Sequence, residues 1–94
     1  MEVLAVQPYI KVHREVVATE QRHIEYERNL YLYKDRIISQ YHEFPIQRVR
    51  DISYRSIAGE GGTLYLHTDG GLYTYTVTSS PQNFIDVCKE LINK

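Results

Sequence analysis

A mainly β chain closed by one C-terminal α-helix is the fold class this sequence predicts, and three observations predict it. Between Leu30 and Val77, short apolar runs alternate with turn residues at strand-like spacing. Nine tyrosines and no tryptophan enrich the chain in a residue that favours strands and half-wet surfaces. From Ser80 to Lys94 the period changes, and Phe84, Ile85, Cys88, Leu91 and Ile92 fall on one helical stripe with Val87 at its flank.

Taken in order, Val3 to Val6 suit a short strand that Pro8 interrupts. The stretch from Lys11 to Asn29 satisfies helix and strand periods in part. The alternation of Ile24 and Tyr26 with His23, Glu25 and Glu27 favours a strand over residues 9 to 17 and another over about 22 to 33. Lys34-Asp35 then makes a two-residue turn between Leu30-Tyr31-Leu32-Tyr33 and a return strand from Arg36 to Tyr41. Proline lacks an amide donor, so Phe44-Pro45 breaks that ladder. Val49 and Ile52 have opposite parities, which a straight strand cannot bury together. A bend or one helical turn is therefore expected near Arg48 to Asp51, before a strand from Ile52 to Ile57.

Ala58 to Gly62 reads as a glycine loop between strands, since no lysine-bearing helix follows it to hold phosphate. Thr63 to His67 and Leu72 to Val77 flank Thr68-Asp69-Gly70-Gly71, the strongest hairpin signal in the chain. On this hairpin Tyr73, Tyr75 and Val77 share one face and Tyr65 is expected across from them, leaving Leu64, Leu66 and Leu72 on the other. Two apolar faces on one hairpin suggest that a second copy of the chain covers one of them. Ser79 or Ser80 can accept an amide of the first helical turn, with Pro81 at the first helical position.

Ninety-four residues, 43% hydrophobic and 24% charged, fit one globular domain spanning 1–94 with a modest core. The net charge of −1 argues against a polycation that seeks nucleic acid. Met1-Glu2-Val3 lacks the basic and apolar regions of a signal peptide, so the expected location is cytoplasmic. Cys88, the one cysteine, sits within the helix's apolar stripe and reads as packing. His13, His23, His42 and His67 have no spacing suited to one metal, and no serine stands in a nucleophile elbow. No catalytic residue, cofactor or metal is expected.

The stretch Leu30 to Lys94 resembles the pleckstrin-homology-like domains of bacterial proteins of unassigned function. The resemblance rests on Leu32-Tyr33-Lys34-Asp35-Arg36-Ile37-Ile38, Phe44-Pro45-Ile46 with Val49, Ile52-Ser53-Tyr54, Gly62-Thr63-Leu64-Tyr65-Leu66, the Asp69-Gly70-Gly71 turn and the helix after Pro81. It implies two near-orthogonal antiparallel sheets forming a partly open barrel, capped by the helix over 81–93. It also implies a non-catalytic binding or assembly module; some members bind lipid head groups or peptides, and some form rings. The basic residues Lys11, Arg14, Arg22 and Arg28 are interspersed with Glu15, Glu20, Glu25 and Glu27, which would cancel much of a field for phosphate.

The candidate interaction residues are Tyr33, Lys34, Arg36, Arg48, Arg50, Tyr54 and Arg55, a set with the tyrosine and arginine content of protein interfaces. Tyr31 and Tyr41 would add to its aromatic character. The expected function is binding or assembly through protein contacts, with self-association as one form of it. A membrane-peripheral domain that binds anionic head groups through Lys34, Arg36, Arg48 and Arg50 is the alternative. Each apolar side chain the helix buries contributes roughly 1.5 to 3 kcal/mol, against a net stability of about 5 to 15 kcal/mol for a small domain. Deleting residues 81–94 is therefore expected to abolish cooperative melting, as followed by circular dichroism.

Overall fold

The computed structural model describes residues 2–17, 20–56 and 61–93, with the backbone alone for 12–17 and 20–24. Among the described residues, seven strands run in chain order as β1 (Ala5–Val17), β2 (Glu20–Leu32), β3 (Arg36–Ile38), β4 (Glu43–Pro45), β5 (Val49–Ser56), β6 (Gly62–Thr68) and β7 (Gly71–Val77). One 3-10 turn, Ile46–Arg48, joins β4 to β5, and the helix α1 spans Gln82–Ile92. All pairings are antiparallel and form one sheet in the order β4-β3-β2-β1-β7-β6-β5. The end strands β4 and β5 do not pair, so the sheet is not closed into a barrel.

Every strand has one buried face, and this alternation sets the register. Ala5, Gln7 and Tyr9 of β1 point inward with Leu30 and Leu32 of β2, and Ile37, Phe44, Leu64, Leu66, Tyr75 and Val77 complete the inner surface. Phe84, Ile85 and Cys88 of α1 close over it, while Val87, Leu91 and Ile92 are half-buried at the helix margin. The helix packs on β5, β1 and the 3-10 turn. Its start lies one residue later than expected. Pro81 is the N-cap, and the Ser80 hydroxyl accepts from the Gln82 amide at 3.4 Å.

The opposing parities of Val49 and Ile52 are resolved inside β5. A bulge between Val49 and Asp51 inserts one residue against β6, and both apolar side chains reach the core. The expected helical turn is present slightly earlier, at Ile46–Arg48.

Four expectations change. Phe44-Pro45 does not break the ladder of the return strand but joins it as β4, with Phe44 opposite Ile37 and Pro45 opposite Arg36. Pro8 does not interrupt β1 but lies within it, opposite Asn29. The register Ile10↔Thr76 sets Pro8 level with Thr78, just past the end of β7, so on that side the missing donor is not required. Tyr41 does not extend the return strand, which stops at Ile38. Ser39 and His42 close a tight turn there, with the Ser39 amide donating to the His42 carbonyl at 2.8 Å and the His42 amide to Ser39 Oγ at 3.1 Å. In the last hairpin, Leu64 faces Tyr75 and Leu66 faces Tyr73 across the ladder, so the leucines and these tyrosines share the core side and Tyr65 pairs with Thr74 on the other. Ile57 and most of the glycine loop, 57–60, lie outside the described residues. No helix among the described residues is long and apolar enough to cross a membrane.

Cys88 is fully buried, and desolvation, with Asp51 nearby adding to it, pushes its thiol up to about 12 from 9.0. A pKa raised by folding leaves stability intact below 9.0 and removes it as pH rises toward 12. Cys88→Ala is expected to flatten the alkaline fall in melting temperature across that window. In the unaltered chain the thiol should react with a disulfide reagent only at the rate of unfolding.

Candidate interaction site

The expected interaction residues do not converge. Arg36 is bound on two sides: it chelates Asp35, with Nε to Oδ1 at 3.2 Å and a second nitrogen to Oδ2 at 3.1 Å, and reaches Glu43 Oε1 at 2.6 Å. The hydrogen bond from Arg36 holds the Asp35 carboxyl below its usual range and raises the guanidinium in turn. With two carboxylates on one guanidinium, the cluster offers no excess positive charge at the surface. Lys34 and Arg50 do share a shallow cleft, with Asp35, Ile46, Val49 and the helix residues Leu91 and Ile92. Arg48 sits elsewhere, beside Glu43 and Asp69, whose amide donates to its carbonyl at 3.0 Å. Arg55 pairs with Thr63 near the far end of β5, roughly 20 Å from Arg48 at the usual strand rise.

The two tyrosines of the set are half-buried. Tyr33 follows β2, where its amide donates to the Arg36 carbonyl at 2.8 Å and closes the Lys34-Asp35 turn. Tyr54 has a structural contact: its hydroxyl donates to the Gly61 carbonyl at 3.0 Å. That bond holds the entry to β6, where Gly61 takes φ +68° and an added Cβ would lie 2.1 Å from the Val77 carbonyl oxygen.

A different group of side chains does converge. Strands β1 and β7 share a single ladder pair, Ile10↔Thr76. Beyond it β1 continues with β2 alone and β7 runs back to Gly71 with β6 alone, so the sheet forks. A cleft of about 360 Å³ opens at this fork, lined by Tyr9, Ile10, Lys11, Ser39, Tyr41, His42 and Tyr73 to Thr76. No residue of α1 lines it.

The cleft is the place where the aromatic part of the core reaches the surface. Tyr9 and Tyr75 meet edge to face at 4.9 Å. His42 stacks on Phe44 at 5.6 Å, and the edge or face of Tyr73 closes on both, at 5.1 and 4.8 Å. Such contacts fix ring orientation as well as burying area. The Tyr75 phenol is pushed up, chiefly by burial. Tyr41, by contrast, is 71% exposed on the Ser39–His42 turn, with the Lys11 ammonium 5.3 Å from its ring centre. The rim thus combines a fixed aromatic floor, one projecting tyrosine and a cation.

Sequence reasoning missed this grouping. Sequence spacing places Tyr41 on a return strand, gives His42 no site role and starts a strand at Tyr9, so nothing local groups the three. Among the described residues, no three histidine, cysteine or acidic side chains are grouped to hold a metal ion. No protein-family model matches the chain, and no curated protein is significantly similar to it.

Tyr54→Phe is expected to lower stability by about 1 kcal/mol through loss of the bond to Gly61. Gly61→Ala should cost more, about 1 to 3 kcal/mol, since both backbone strain and a clash with β7 oppose it. Urea midpoints of the two variants at constant m-value check the order.

Proposed function

We propose that this chain is a non-catalytic protein-binding module on a pleckstrin-homology-like frame, and that it engages its partner through the aromatic cleft between β1 and β7. The frame is supported by the strand order β4-β3-β2-β1-β7-β6-β5, in which one ladder pair joins a four-strand group to a three-strand group, and by the helix packed on β1 and β5. Two near-orthogonal sheets, as the resemblance implies, would meet at that pair. The observation that carries the binding reading is Tyr41. A tyrosine left 71% exposed beside a rigid aromatic floor has the character of an interface anchor, because it offers large contact area at little further loss of freedom.

The head-group alternative draws less support. Its four cations divide between two places, Arg36 is neutralised by Asp35 and Glu43, and Arg48 neighbours Asp69. The binding reading keeps the chain away from acidic bilayers, whereas the alternative requires co-sedimentation with anionic vesicles that weakens as salt rises.

The direct test places a photo-crosslinking amino acid at position 41 in the full chain, with position 55 as the control. Irradiation in cells is expected to give a discrete adduct from position 41 and none from position 55. Adducts from 55 alone, or vesicle binding lost on Lys34 and Arg50 substitution, would overturn the proposal.

A further inference from the structure

The fork leaves backbone as well as side chains without partners. From Gly71 to Tyr75, β7 is paired with β6 on one side and with nothing on the other among the described residues. Continuing the Ile10↔Thr76 register would bring position 12 opposite 74, yet β1 has already left the ladder there. An unpaired strand edge is a template for an added strand, and natural edges are commonly blocked by charge, proline or a covering loop. Gly71-Leu72-Tyr73-Thr74-Tyr75 contains no charged residue and no proline. Leu72 and Thr74 are exposed beside this edge.

The charges around the fork say what kind of strand fits. Lys11 lines the cleft and pairs with Tyr26 across β1 and β2; Arg28 pairs with Tyr9 on the same face but stands beyond the Ile10↔Thr76 junction, beside Glu27 and Thr78. Arg28 rests 5.1 Å from the Tyr26 ring, and its Nε is buried with no hydrogen-bond partner among the described residues. Lys11 forms no ion pair among the described residues, and no described carboxylate lines the cleft, whereas Arg28 shares its surroundings with Glu27. A second copy of this chain would bring an equally neutral edge and the same lysine.

We propose that the fork accepts an extended, acidic segment of a partner protein as an added strand along Gly71–Tyr75, with a carboxylate meeting Lys11. The proposal rests on the cleft being the binding site and specifies how that site reads its partner. Main-chain hydrogen bonds supply the register, alternate side chains enter the aromatic floor, and the acidic positions select among extended segments.

The test begins with a displayed library of random twelve-residue linear peptides selected against the full chain. Selected sequences are expected to alternate apolar and other residues and to be enriched in aspartate or glutamate. In synthetic versions, backbone N-methylation at one parity should weaken binding by roughly tenfold or more per site, and methylation at the other parity should leave it unchanged. Lys11→Glu should weaken binding roughly tenfold at low salt with an unaltered melting temperature, and Arg55→Glu should not. Peptides that bind in a Tyr41-dependent way but tolerate N-methylation at every position would overturn strand addition and leave the cleft as a binding site. Failure to select any peptide, together with no adduct from position 41, would overturn both readings. A concentration-dependent dimer with slowed hydrogen exchange in Gly71–Tyr75 would overturn the choice of partner.

Discussion

A sheet with one apolar face must curl until that face is covered, and this constraint accounts for most of what the chain does. Five of the antiparallel strands present Leu30, Leu32, Ile37, Ile52, Leu64, Leu66 and Val77 to one side, and an eleven-residue helix is too small to cover them unaided. The strands therefore supply part of their own cover, with Phe44 reaching Tyr73 and Tyr9 reaching Tyr75 across the interior. The helix completes the enclosure with Phe84, Ile85 and Cys88. The bulge in β5 and the turn at Ile46–Arg48 are the local bends that such curling demands. Gln7 shows how tightly β1 is held within the enclosure. Its buried amide donates to the Pro8 carbonyl at 3.1 Å and to Ser79 Oγ at 3.4 Å, tying the first strand to the link between β7 and the helix.

Much of this frame was legible in the residues. Hydrophobic period separated the strands from the helix, and turn chemistry located Lys34-Asp35 and Asp69-Gly70. The parity conflict between Val49 and Ile52 announced a local irregularity before any register was known. What could not be read depended on distant partners. Whether Pro8 breaks a strand depends on where β7 ends, seventy residues away in the sequence. The turn holding Tyr41 contains no glycine or proline and is closed by the Ser39 hydroxyl and amide on His42, so no local pattern marks it.

The candidate site was less legible than the frame, for a related reason. Its residues come from β1, the Ser39–His42 turn and β7, and only the sheet order brings them together. Charge counting pointed instead to the arginines, since basic residues are conspicuous in a list and their counterions are not. In the fold, Arg36 has two carboxylates on it and Arg55 stands apart from the rest. Tyrosines divided similarly: Tyr54 clamps a strand entry, Tyr75 fills the core, and Tyr41 alone of the three projects into solvent.

The neutral edge of β7 also bears on how the chain behaves in bulk. Leu72 to Val77 is a six-residue, uncharged run of high strand propensity, with no lysine or proline to discourage lateral pairing. That run carries the edge left unpaired from Gly71 to Tyr75, which is open to unintended neighbours. Occupancy would then act as a chaperone-like shield. The edge proposed to recognise a partner would thus set a ceiling on how concentrated the unbound chain can become before it begins to assemble out of register.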